Sequence, residues 1–263
     1  MPELAEIKIM SEYITSVCKN HDFWSIGTSP EVSKRLGVVQ PSNLQMFSIS
    51  AEARGKELRL ILSSGADIYT LSVSMGMSGY WVFGDRDSKP KHSHLIFNTI
   101  DKKALFLVDV RRFAKWKWGD WSPNRGPCPV KETSLFKTNV INSLNKKVFL
   151  KAIHLLLMDQ KYFNGIGNYL RAEILYLANQ DPFESAREAI INNPVLLDLC
   201  TQVSYEAYMI GGGQLKDWKN PFQVPKNGFS DWIKCYGKAE HSILDANGRT
   251  LWYSKSQLKD KND

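Results

Sequence analysis

The run Gly119-Asp120-Trp121-Ser122-Pro123-Asn124-Arg125-Gly126-Pro127-Cys128-Pro129 divides this chain into stretches of different hydrophobic period. Its glycines and prolines disfavour helix and strand alike, so it is the best candidate for a linker. Ahead of it, Leu58, Leu60 and Leu62 alternate with Glu57, Arg59 and Ile61, which predicts a strand with one face more buried. Lys56 is expected to start that strand, on the leucine side, facing a covered cleft. Residues 95–100 and 104–110 predict a hairpin around Asp101-Lys102-Lys103. Behind the linker, Phe149 to Leu157 and Leu170 to Leu177 have helical spacing, and a further helix is expected over 194–209, ending at Gly211-Gly212-Gly213. After about residue 228 short β segments return, with Asp245-Ala246-Asn247-Gly248 as a hairpin turn. Residues 255–263 are expected to form a frayed tail.

Charge narrows the function. The 263 residues carry a formal net charge of +7, with a sequence pI of about 9.1. That balance favours a polyanionic partner, nucleic acid first and an anionic membrane surface second. No apolar run approaches the roughly 20 residues of a membrane span. No signal peptide is expected, because the first helical stretch is amphipathic and carries Glu3, Glu6 and Glu12. Cys18, Cys128, Cys200 and Cys235 are scattered without paired spacing, as free thiols of a reducing compartment would be.

Two motifs carry chemistry. The chain starts Met1-Pro2-Glu3-Leu4, and Leu4, Ile7, Met10, Ile14 and Val17 predict a helix almost at once. If Met1 is removed, Pro2 presents a secondary amine beside the Glu3 carboxyl. Such a pair suits attack on a sugar carbon to give an iminium intermediate. The positive end of the helix disfavours protonation of the amine, whose ordinary pKa is about 8. The same residues also suit an ordinary helix start. The second motif is Asn164-Gly165-Ile166-Gly167-Asn168. Its glycines allow backbone N–H groups to approach an anion, the following helix adds its dipole, and the Asn168 amide is placed to donate to a phosphate. A plain helical hairpin is the alternative.

With these residues in view, the chain resembles the formamidopyrimidine-DNA glycosylase/endonuclease VIII family of DNA repair enzymes. The resemblance rests on Met1-Pro2-Glu3-Leu4, Arg54-Gly55-Lys56, Met75-Gly76-Met77-Ser78-Gly79, Asp109-Val110-Arg111-Arg112-Phe113, Gly165-Ile166-Gly167-Asn168-Tyr169 after Asp159-Gln160, and Cys235-Tyr236-Gly237-Lys238 with Gly248-Arg249-Thr250. It implies an α+β fold of two domains. A catalytic β-sandwich with flanking helices would cover 1–120 and a linker 121–130. A helical domain with a helix–two-turn–helix would cover 131–225, and a finger and tail 226–263. DNA would lie between the domains.

The resemblance also implies roles. Pro2 would attack C1′, Glu3 would act as general acid–base, and Glu6 would help to organise water and protons. Lys56, Asn168 and Arg249 would hold phosphates. A duplex base must be flipped out to be reached, and Met77, Arg111 and Phe113 would fill the gap, although core packing is the plainer role of Met77 and Phe113. Arg112 would be structural, pairing with Asp109. The expected activity is excision of oxidised bases, pyrimidines favoured, from double- or single-stranded DNA, followed by β,δ-elimination at the abasic site. No cofactor and no metal are expected, and the protein would work as a monomer wherever the DNA is, with no membrane contact. Zinc-bearing relatives have four finger cysteines, whereas only Cys235 and His241 are plausible ligands here, too few for a closed site. A zincless hairpin packed through Ile243, Leu244, Leu251 and Trp252 is therefore expected. Ala5, where many members have a second proline, is a smaller departure. The lesion-recognition loop would include Lys216-Asp217-Trp218. A non-catalytic damaged-DNA-binding protein is the competing reading, since the glycine turn and the charge would serve it equally.

Overall fold

A computed structural model of the chain describes residues 2–37, 40–213, 215, 218–222 and 228–259. They form two units interleaved in sequence. The first takes the described residues of Met1–Pro2, Glu6–Ser122 and Gly213–Gln223, and the second those of Glu3–Ala5, Pro123–Gly212 and Val224–Asp263. The expected α+β architecture is what forms, with sheets ahead of residue 119 and mostly helices behind it.

The first unit holds most of helix α1 (Leu4–Cys18) and two four-stranded antiparallel sheets. Its elements run β1 (Phe23–Thr28), α2 (Pro30–Leu36), β2 (Ser48–Arg54), β3 (Glu57–Ser64), β4 (Asp67–Ser74), β5 (Tyr80–Asp85), β6 (Ser93–Thr99), β7 (Lys103–Val108) and β8 (Lys115–Trp118). The sheet orders are β1-β6-β7-β5 and β2-β3-β4-β8. In β3 the alternation is as expected. Leu58, Leu60 and Leu62 are fully buried, while Arg59 and Ile61 are partly exposed. Each buried leucine contributes roughly 1.5–3 kcal/mol. Glu57 breaks the pattern, because its carboxylate accepts the Ser122 N–H at 2.9 Å and the Ser122 hydroxyl at 2.5 Å. Lys56 does not start the strand. Arg54 pairs with Glu57, so Gly55 and Lys56 form the hairpin turn itself, with Gly55 at φ +58° as such turns require. The second expected hairpin is present as β6 and β7, turning through Lys102 at φ +64°.

The second unit contains α3 (Thr133–Ile141), α4 (Ile153–Leu156), α5 (Asn168–Leu177), α6 (Ala186–Asn192), α7 (Val195–Met209), α8 (Gly228–Trp232), β9 (His241–Leu244) and β10 (Thr250–Tyr253). Its core gathers Phe136, Phe149, Phe163, Leu170, Ile174 and Cys200, and Leu4 and Ala5 join it from the chain start. The helix expected from Phe149 to Leu157 is broken. Lys151 and Ala152 are extended, because their segment bonds to 182–186 instead of continuing a helix: Ala186 N–H to Lys151 O at 2.9 Å and Ile153 N–H to Glu184 O at 2.9 Å. Residues 228–232 are helical before the β segments begin. Of the expected tail, residues 255–259 are held in place, and 260–263 lie outside the described residues. Ser254 and Gln257 form a capping box, the buried Gln257 amide donates to Gln180 O at 3.1 Å, and Lys259 pairs with Glu184 at 2.6 Å. No described helix is long and apolar enough to cross a membrane. All four cysteines are buried free thiols, and burial pushes Cys18 up to about 12.

Candidate active site

Pro2 is buried and directly precedes α1. Glu3 is 2% exposed. One of its carboxylate oxygens accepts N–H groups from Gly167 at 2.8 Å and Leu170 at 3.3 Å, and the other accepts from Tyr169 at 3.1 Å. Gly167 is the N-cap of α5 and has no side chain of its own to cap with. The Glu3 carboxylate therefore caps that helix, where converging N–H groups and the helix dipole stabilise negative charge. The Leu4 N–H donates to Gly165 O at 3.1 Å and completes the junction.

This geometry corrects one expectation. The N–H groups of Gly167, Tyr169 and Leu170 go to Glu3 instead of a phosphate, and the Gly165 N–H goes to the Gln160 side chain at 3.0 Å. The anion held at the start of α5 is the chain's own carboxylate. Asn168 faces a different partner. Its amide donates to Thr250 O at 2.9 Å and its side-chain oxygen accepts from Arg171.

Arg249 is half-buried at the end of the Asp245–Gly248 turn. The Asp245 carboxylate accepts the N–H groups of Asn247 at 2.8 Å and Arg249 at 2.9 Å, and Gly248 takes φ +70°. Asp245 in turn pairs with Arg171 at 2.8 Å, both side chains fully buried. Sequence reasoning missed Arg171 and Asp245. The available signal was an arginine one turn after Asn168 on a helix that is otherwise largely apolar there. It also missed Glu173, which accepts the N–H groups of Lys234, Cys235 and Tyr236 at 2.8, 3.0 and 2.7 Å and fixes the approach to the β9–β10 hairpin.

In the first unit the two loops expected on the lesion side meet. Met77 lies in the turn between β4 and β5, and Arg111 and Phe113 follow β7. Gly76 sits at φ +61°, and a Cβ there would stand 2.7 Å from the Phe113 Cβ, so the loops touch only because this residue is glycine. The Ser78 hydroxyl donates to the buried Asp109 carboxylate at 2.5 Å, and Asp109 also accepts N–H groups from Arg111 at 3.2 Å and Ala114 at 2.7 Å. The Arg111 guanidinium lies 4.6 Å over the Phe113 ring. Met77 and Phe113 are 45% and 46% exposed, which removes the core-packing alternative. Arg112 does not use its side chain as expected. Its N–H donates to Asp109 O at 3.2 Å and its carbonyl accepts from Arg35 at 2.9 Å.

Glu6 is buried, and its carboxylate accepts the Gly213 N–H at 2.6 Å. An exposed first-turn glutamate is therefore excluded. Lys56 is half-buried in its turn. Lys216 and Asp217 lie outside the described residues, while Trp218 packs edge-on against Tyr13 with ring centroids 6.3 Å apart. In the hairpin region the Cys235 thiol donates to Trp252 O at 3.3 Å, and burial, with Glu173 and Glu240 nearby, pushes it up to about 12. His241 stacks on Tyr253 at 5.5 Å. No cluster of three or more His, Cys, Asp or Glu suited to a metal ion occurs among the described residues.

Residues 1–116 match the formamidopyrimidine-DNA glycosylase N-terminal domain. The chain is 37% identical to human endonuclease 8-like 1, over 96% of this chain and 72% of that protein. It is 26% identical to the formamidopyrimidine-DNA glycosylase of Wolbachia pipientis wMel, over 96% and 98%. Among solved structures, Lactococcus lactis Fpg bound to abasic-site DNA superposes with a TM-score of 0.75 at 22% identity, covering 98% of this chain and all of that one, so the folds are the same. The chain belongs to the formamidopyrimidine-DNA glycosylase/endonuclease VIII family of DNA glycosylases. A mouse endonuclease 8-like 1 matches nearly as well as the human one, at 36% over 96% of this chain.

Proposed function

We propose that this DNA glycosylase of base excision repair also cleaves the abasic strand, using Pro2 as nucleophile and Glu3 as its proton carrier. The observation that carries the reading is the Glu3 carboxylate, buried beside Pro2 and fixed by N–H groups of α5. With Met1 removed, the Pro2 nitrogen attacks C1′ and the N-glycosidic bond breaks, the base leaving with its bonding pair and taking up a proton from water. Glu3 takes the proton released by the amine and delivers it to the ring oxygen as the sugar opens to the iminium. Loss of a C2′ proton then expels the 3′ phosphate by β-elimination, and δ-elimination expels the 5′ phosphate. A gap with phosphate on both sides remains, and hydrolysis of the iminium returns Pro2.

Lys56, Asn168 and Arg249 hold the phosphates that flank the lesion. Met77, Arg111 and Phe113 fill the space of the flipped nucleotide, as an adaptable apolar chain, a planar cation and a wedge. Their shared exposure and the Arg111–Phe113 stacking support that role. Glu6, besides any part in proton traffic, ties down Gly213. Oxidised pyrimidines in double- or single-stranded DNA are the favoured substrates. The finger is a zincless hairpin, no cofactor takes part, and the enzyme is a monomer located with its DNA.

Borohydride should trap a covalent adduct with abasic DNA, and Pro2→Thr or a retained Met1, read by intact mass, should abolish it. Trapping that survives in such variants would sink the assignment, and full DNA binding with no adduct in the wild type would favour a non-catalytic binder.

A further inference from the structure

We propose that Arg171 is a positioning residue that couples the two phosphate-holding side chains, Asn168 and Arg249, through a buried ionic ring; the inference rests on the function proposed above. Arg171 is 0% exposed and cannot itself meet DNA. Its guanidinium donates to the Asn168 side-chain oxygen, to Asp245 Oδ2 at 2.8 Å and to His154 O at 3.1 Å. Asp245 uses its other oxygen to accept the N–H groups of Asn247 and Arg249, and its own N–H donates to Arg249 O at 2.8 Å. The Asn168 amide closes the ring on Thr250 O, the residue after Arg249.

One guanidinium thus orients the Asn168 amide and fixes the backbone that carries Arg249. A fork of planar donors can serve both at once, whereas a lysine ammonium cannot reproduce that geometry. The arrangement is costly as pure scaffolding. A buried ion pair is often replaced by apolar residues without loss of stability, and the Arg171 Nε has no hydrogen-bond partner among the described residues. Orientation of the grip is what such a pair adds.

The test compares full-length wild type, Arg171→Lys and the apolar pair Arg171→Met/Asp245→Leu, with an abasic-analogue duplex over a range of salt. Binding is expressed per folded molecule, with folding measured by thermal melts. We expect roughly tenfold weaker binding and a log–log salt slope lower by about 0.9, the share of one phosphate contact. A purely structural role would change the melts and leave the slope at the wild-type value, and that result would overturn the proposal. Should the Arg171 variants fail to fold, Asp245→Asn removes the charge while keeping an oxygen for the two N–H groups, and the same slope criterion decides. If the wild type itself shows no salt-dependent DNA binding, the proposed function falls and this inference with it; a normal wild type beside unaltered variants removes the inference alone.

Discussion

The Glu3 carboxylate accepts the Gly167 N–H at 2.8 Å across 164 residues of sequence. It is the cap of α5 as well as the acid beside Pro2, so one side chain ties the start of the chain to the glycine turn. Removing its charge should therefore have two separable effects. Glu3→Gln should lower unfolding stability by about 1–2 kcal/mol, as loss of a charged cap does. It should also reduce base excision by roughly 10²–10⁴-fold, with abasic-site cleavage better retained. Urea melts read the first and single-turnover assays on the two substrates read the second. Equal loss of both activities would contradict the proton-carrier role.

The contact of Gly76 with Phe113 sets a second prediction. Gly76→Ala puts a Cβ where Phe113 already is and forces φ +61° on an L side chain. It should cost at least about 1 kcal/mol and weaken binding to damaged duplex by displacing the loop of Met77. Gly84→Ala is the control, since nothing lies within 4 Å of a Cβ there. A Gly76→Ala variant as stable and active as the control would refute the close packing of the two loops.

Arg249 and Asn168 should separate by salt. Arg249→Ala should weaken binding to damaged and abasic DNA alike and lower the salt slope by about 0.9, because it removes a cation. Asn168→Ala should weaken binding with the slope intact, because its amide is neutral. An effect confined to one lesion would show instead that these side chains read the base.

Two buried histidines predict acid sensitivity. Burial holds His94 and His154 below the ordinary histidine value, and the Nδ1 of each ring already has a partner, Ser29 Oγ at 2.8 Å and Pro182 O at 2.7 Å. Since the folded values are depressed, the unfolded chain binds the proton first. The stabilisation is complete above about pH 6.5 and is lost as pH falls through the folded values, at up to about 1.4 kcal/mol per pH unit for each proton. Melting temperature should therefore decline below pH 6.5, before carboxylates titrate. The double variant His94→Asn/His154→Gln should flatten that decline; an unchanged slope would exclude these two groups as its source.

Much of the fold was legible because local periodicity is a local property. The alternation around Leu58, the helices α5 and α7 and the turn at Asp245 follow from residues within a few positions of one another. The break at Lys151 was not legible, because its cause is a backbone pairing with 182–186. Nor was the ordered segment at 255–259, which depends on Gln180 and Glu184. Among the site residues, Pro2, Glu3, Asn168 and Arg249 could be singled out by type and motif. Arg171 and Asp245 could not, since each has meaning only opposite the other.

The sequence by itself determined the class of the chain: its sheets and helices, its basic charge, the proline and acid at its start, and the motif order of its family. Only the tertiary structure decided which partner each polar group takes. The N–H groups at the start of α5 suit any anion equally, and no local rule says that the anion is Glu3 and not a phosphate. That choice is made where distant segments pack, because a buried carboxylate must find donors and a buried helix end must find an acceptor.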